Sequence, residues 1–380
     1  MIADAATDAA SPASPGVAAF DAPASEAPAS ETSAVDRAVK RARVLDLLKR
    51  RGAASIVLRS HTAVSWYLDG ARTHVSLAGD PVAAVVVHRD GDELRVFANE
   101  ADRLLDEELP SRERLDVVRV PWHEVLAAPG IAELDEADAA VDLRAARASL
   151  LPGELGRYRT LCREVAEALT DAATDAGPTV IERQLAARLA GELAARGIDP
   201  LVTLVASRSR LAHRHPLPTD AAIGDRAMLV VCGRRHGLIA NATRWVRFGA
   251  ADVGEADAMR RILDVEADVL AATRPGATLG DVFDAGVAAY ARHGFDAEEW
   301  RRHHQGGAAG YAGRDPRAVP GIVDLVHEGQ AFAWNPTAPG AKVEDTVLVG
   351  ERGVEVLTVD PRWPTVSVAG VARPVELDAG

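Results

Sequence analysis

The sequence predicts an α+β protein in two parts, and three observations carry that prediction. Strand-like and helix-like stretches come in runs of their own kind instead of alternating, which argues against a doubly wound parallel sheet. A turn-rich stretch near residue 150 separates two blocks of periodic apolar residues, each long enough to enclose a core. Apolar residues make up 48% of the 380 positions and charged ones 26%, the balance of a globular chain and not of a fibre.

Residues 1–35 are almost entirely Ala, Pro, Ser, Asp, Glu and Thr, too poor in large apolar side chains to offset the entropy of ordering, so a disordered leader is expected. It lacks the basic start and apolar centre of a secretory signal and holds too many acids for a transit peptide, which points to the cytoplasm. Val35, Val39, Val44, Leu45, Leu47 and Leu48 then form a helical stripe over residues 35–51. Short β-prone runs at 55–58, 83–87 and 94–98, broken by turns such as Asp90-Gly91-Asp92, are followed by a helix over 101–109 and a strand over 115–118. This smaller α/β domain is expected to span 36–150, with Ala139-Ala140-Val141-Asp142-Leu143 read as a strand and Leu151-Pro152-Gly153 as a linker turn. The second domain, 151–365, opens with helices over 155–176 and 179–197, the latter entered at Pro178-Thr179 and ended at Arg196-Gly197. Strands are expected at 202–206, 227–232 and 237–243, helices at 253–273 and 279–293, strands at 330–334, 343–349 and 353–358, and a tail at 366–380.

A net charge of -13, with no Lys/Arg cluster interleaved with aromatics, argues against a nucleic-acid partner. The longest apolar run, Pro81-Val82-Ala83-Ala84-Val85-Val86-Val87, is far too short to cross a bilayer, so no membrane association is expected. Cys162 and Cys232, far apart, read as buried thiols in a reducing compartment.

Chemistry-bearing residues gather in a few strings: His215-Pro216-Leu217-Pro218-Thr219; Leu229-Val230-Val231-Cys232-Gly233; Gly237-Leu238-Ile239-Ala240-Asn241-Ala242-Thr243-Arg244; Gly306-Gly307-Ala308-Ala309-Gly310 with Arg314-Asp315-Pro316; Gly329-Gln330-Ala331-Phe332-Ala333-Trp334-Asn335-Pro336; and Val343-Glu344-Asp345-Thr346-Val347-Leu348-Val349. In this order they resemble the creatinase / aminopeptidase P / methionine aminopeptidase family over residues 36–360. The resemblance implies the family's pita-bread fold for the C-terminal domain, a smaller creatinase-type N-terminal domain and a homodimer. It also implies that the metal-binding aspartates fall on Val231 and Asn241, the metal histidine on Gly307, a substrate-side histidine on Arg314 and a third carboxylate on Asn335. Only Glu344 of the ligand set is retained. Cys232, next to Val231 on a strand, is expected on the opposite face and in the core.

Two bridged divalent ions need several anionic or imidazole donors, so no metal and no other cofactor is expected here. Creatinase, in the same family, hydrolyses a carbon–nitrogen bond without metal, and its histidine corresponds to His215. The expected catalytic pair is therefore His215, as proton carrier, and Glu344, orienting water or binding a cationic nitrogen. Arg314 offers a fork for a substrate carboxylate, Asn241 and Asn335 uncharged hydrogen bonds, Thr243 a hydroxyl and His304 a substrate contact; of His303 and His304 one is expected to line the pocket and the other to face solvent, and His303 is left without a role. Arg314 is as readily read as a salt-bridge partner of Asp315 or Glu344, Trp334 as core, and His213 and Arg208 are left without a role. The expected activity is metal-independent cleavage of a C–N bond in a small amino-acid-derived or peptide-like substrate. A metal-dependent Xaa-Pro aminopeptidase and a non-catalytic binding protein are the alternatives.

Overall fold

The computed structural model describes residues 29–109 and 114–380. Most of the expected leader lies outside the described residues; the first helix, α1 (Ala29–Arg51), begins earlier than the apolar stripe alone indicated. Strand β1 (Ser55–Leu58) follows, then α2 (His61–Tyr67), started by the Ser60 hydroxyl accepting from the Ala63 amide. Next come β2 (Ala83–His88), β3 (Asp92–Phe97), α3 (Ala101–Arg103) with a π-helical turn at Leu104–Glu108, β4 (Leu115–Val120) and β5 (Leu134–Asp135). These strands make one five-stranded sheet in the order β4-β3-β2-β1-β5. Its strand β2 is buried almost throughout, as the unbroken apolar run requires.

Residues 139–143, expected as a strand, instead start helix α4 (Ala140–Ala148). Apolar residues at 139, 141 and 143 fit a strand's alternation, but the run is too short to separate the two periods. The Arg43 guanidinium of α1 donates to the carbonyls of Ala146 and Ser149 at 2.8 and 2.9 Å, so tertiary contact decides for the helix by satisfying its C-terminal end. Helix α5 (Pro152–Thr174) starts with proline in its first turn and Glu154 accepting from the Leu151 amide. Helix α6 (Glu182–Ala195) leads into β6 (Asp199–Ser207), β7 (Arg226–Arg235) and β8 (Leu238–Arg247). Helices α7 (Val253–Ala272) and α8 (Leu279–Arg292) have side-chain caps at Asp252 and Thr278. Strands β9 (Gly306–Ala309), β10 (Ala331–Trp334), β11 (Thr337–Ala338), β12 (Ala341–Lys342), β13 (Asp345–Gly350) and β14 (Gly353–Val356) follow.

The expected tail is not loose. It forms β15 (Thr365–Val368), β16 (Val371–Pro374) and β17 (Leu377–Asp378), the last pairing in parallel with the edge of β8. Two four-stranded sheets result, β17-β8-β7-β6 and β14-β13-β10-β9. They meet where Thr243 of β8 bridges Glu344, just before β13. One apolar core lies between β7–β8 and helices α5 and α6 and runs on into the N-terminal sheet; others lie under α7 and α8. Helices α5 and α6 thus cover one face of the β17-β8-β7-β6 sheet, and α7 packs on part of the other, the face that carries Asn241 and Thr243 to the junction of the two sheets.

Candidate active site

The hairpin β7–β8 turns on His236-Gly237, with Arg235 paired to Leu238, and this short turn fixes every pairing behind it. Val231 pairs with Ala242, and both belong to the core under α5 and α6. Gly233 shares that face, where an added Cβ would lie 2.7 Å from Ile198 and 3.0 Å from Val165. Cys232 pairs with Asn241 on the other face, so the expectation for these two residues is reversed: Val231 is core and Cys232 lines the site. Burial pushes its thiol up to about 12, with the charge of Glu344 adding to the shift.

Glu344 is the centre of the polar region. Its Oε1 accepts from Arg314 at 2.6 Å, and its Oε2 from Lys342 at 2.9 Å and from the Thr243 hydroxyl at 3.0 Å. Burial alone would raise its pKa, but the two cations outweigh it and hold the carboxyl down to about 2. The Thr243 amide donates to the Glu344 carbonyl at 2.9 Å, and the Asn241 amide to the Thr346 hydroxyl at 2.8 Å, so the two sheets are stitched at this point. Ala333 of β10 pairs with Thr346, and continuing that register by two residues sets Asn335 opposite Glu344. The side-chain Oδ1 atoms of Asn241 and Asn335 and the Nε of Arg314 are buried without a hydrogen-bond partner among the described residues.

Gly307 faces the same interior. A Cβ there would lie 2.4 Å from the Pro316 carbonyl oxygen and 2.7 Å from the Ala318 amide nitrogen, so no side chain fits. The loop that closes over it is tied by Asp315 donating to Ala308 and Ala318 to Gly306, and it is this loop that delivers Arg314 to Glu344.

Three histidines gather beside this group. Ring nitrogens of His215, His303 and His304, one from each, all lie within 4.8 Å of one another, and His303 Nε2 is 3.1 Å from His215 Nε2. His303 is the buried member, His304 is half-buried and His215 the exposed one, so neither His303 nor His304 faces solvent freely. Burial, with Lys342 nearby, pushes His303 down to about 2. Burial and the guanidinium groups of Arg314 and Arg317 take His304 to about 4. Packing of its ring and Lys342 lower His215, against the pull of Glu344. All three are thus neutral near pH 7.

Arg208 pairs with Asp225 and Glu255 at the surface. Arg244 binds Asp345 and the Thr358 carbonyl. Trp334 is core, stacked on Phe332. Sequence reasoning missed Lys342, although it stands two residues before Glu344 on an extended stretch, the spacing that puts both on one face.

The profile of metallopeptidase family M24 matches residues 156–351. An uncharacterized peptidase of Staphylococcus saprophyticus is 28% identical over 192 residues, 47% of this chain and 53% of that one. The agropine synthesis cyclase of Rhizobium rhizogenes is 32% identical over 162 residues, 39% of this chain and 40% of that one. The chain thus spans about half the length, or less, of these curated relatives. Among solved structures the prolidase of Pyrococcus horikoshii superposes with a TM-score of 0.70 at 17% identity, covering 85% of this chain and 99% of the prolidase.

Proposed function

The chain belongs to metallopeptidase family M24, with the pita-bread fold, and from that premise we propose that it is a hydrolase working without the family's pair of metal ions. Its reaction is cleavage of a carbon–nitrogen bond in a small amino-acid-derived or peptide-like substrate. The observation that carries this reading is the Glu344 carboxylate held between Lys342 and Arg314. A divalent pair needs several anionic donors. The side chains beside Glu344 on the surrounding strands include Thr243, Cys232, Asn241 and Asn335, none of them a carboxylate, with none at Gly307, and an ammonium 2.9 Å from the carboxylate would repel a bridging cation. The donor set does not fit the metal pair.

The remaining groups suit proton transfer and charge stabilisation. His215, neutral and exposed at the edge of the cluster, accepts a proton from the attacking water and returns it to the leaving nitrogen. The free Nε of Arg314 offers a donor to oxyanion charge developing on a carbonyl or amidine carbon. The unpaired Oδ1 atoms of Asn241 and Asn335 accept N–H groups of the substrate. Glu344, with both oxygens engaged, fixes the two cations instead of acting as a base, a narrower role than the residue type suggests.

The test is turnover of a dipeptide and amidine panel by chelator-treated protein. Activity should persist in chelator and fall at least about 100-fold in His215→Gln, the usual scale of losing a general acid–base group. Activity that needs added Mn²⁺ or Co²⁺, or that survives His215→Gln, overturns the reading. The cyclase relative favours a second one: the same groups would activate a nucleophile within the substrate, closing a ring where the first reading adds water. Product mass separates the two.

A further inference from the structure

We propose that His215, His303 and His304 form a binding site for a single zinc ion, distinct from the position of the family's metal pair, and that zinc there shuts the enzyme off. None of the three stands at a position matching the family's metal ligands, and they come from two separate segments of the chain. Their grouping is a tertiary event: residue 215 lies on the loop after β6, and residues 303 and 304 directly precede β9.

The geometry suits one ion bound by nitrogen. Tetrahedral zinc with bonds of ~2.0–2.1 Å sets its ligand nitrogens roughly 3.3 Å apart. The His303–His215 pair is at 3.1 Å and no ligand nitrogen is more than 4.8 Å from another, so modest ring rotations close the set. A second observation points to a ligand. Two neutral rings meeting edge to edge through Nε2 share at most one proton, while His303 Nδ1 and His304 Nδ1 are buried with no partner among the described residues. The cluster thus has unspent donor capacity, and the exposed side of His215 leaves a fourth position open to water. Imidazole nitrogen selects late transition ions over Mg²⁺ or Ca²⁺, which prefer oxygen. Lys342 and Arg317 stand near the rings and weaken any cation's hold, while Glu344 offsets part of their charge.

The inhibitory consequence rests on the proposed role of His215, since a ring lone pair bound to zinc cannot take a proton. Binding itself does not rest on it, and is measured without substrate. Full-length, metal-stripped protein is titrated calorimetrically with ZnCl₂, and with MgCl₂ as control. The expected result is one zinc per chain, no magnesium, affinity lowered at least about 100-fold in His304→Ala, which loses a ligand, and no more than about tenfold in Glu344→Gln, which alters only the charge nearby. X-ray absorption at the zinc edge of the wild type should show a nitrogen-rich shell with three imidazoles, a readout that needs no variant to fold. No binding, two ions per chain, an oxygen-rich shell, or loss of binding in Glu344→Gln overturns the site. Zinc that binds with this signature but leaves turnover intact overturns the inhibition and, with it, the role given to His215.

Discussion

Lys342 and Glu344 meet at 2.9 Å where both side chains are almost wholly shielded from water. Removing one partner of such a pair strands a buried charge. Lys342→Met should therefore cost about 3 kcal/mol, at the low end of ~3–5 because Arg314 remains on the other oxygen, and urea denaturation measures it. The same carboxyl predicts an acid response. Its folded pKa of about 2 lies below its unfolded value of 4.5, so its contribution is full above pH 4.5 and drains away as the pH falls toward 2. Thermal melts from pH 6 to 3 should show a steeper fall below pH 4.5 for wild type than for Glu344→Gln; parallel curves would remove the assignment. Glu344 was legible from its string, because Glu-Asp-Thr survives intact around it. Cys232 was not, because which of two adjacent strand residues faces the site depends on the length of a turn several residues away.

Two elements decide what the interior between the sheets can hold. The β7–β8 hairpin, turning on two residues, sets Cys232 against Asn241 and sends Val231 into the helix-packed core. The loop after β9 lies on Gly307 and carries Arg314 inward, so an added methyl group is felt by backbone that has nowhere to go. Gly307→Ala should cost on the order of 1–3 kcal/mol, as overpacking and a positive φ combine. It should also release the Arg314–Glu344 contact, seen as faster amide exchange over residues 311–318 by hydrogen–deuterium mass spectrometry. Unchanged exchange there would mean that the loop is held by something other than this contact. Most of these elements were readable from apolar period and capping residues; α4 was misread because a five-residue run satisfies both periods.

Across the whole molecule, buried charges join segments far apart in the chain. Lys40 of α1 binds Asp69 at 2.5 Å and Glu154 of α5 at 2.8 Å, and Tyr311 donates to Glu154, which ties α1 and the segment after α2 to α5 and the loop bearing Arg314. At the other end Arg373 of β16, fully buried, holds Glu266 of α7 at 2.5 and 2.7 Å and Asp345 at 2.9 Å. Deleting residues 366–380 would leave both acids buried beside one fewer cation and strip β17 from β8. The expected loss is about 3–5 kcal/mol or more, read as a lowered thermal midpoint, and a midpoint within a degree of wild type would refute it. By itself the sequence determined the α+β class and the order of the longer helices and strands, because apolar periodicity, caps and turn residues act over a few neighbouring positions, and its motif strings carried the resemblance to the family. Only the tertiary structure decided which strand face meets the interior, that Lys342 and Arg314 share Glu344, and that three histidines from two segments converge. Those outcomes depend on register, loop closure and helix packing, which join residues that no local pattern connects.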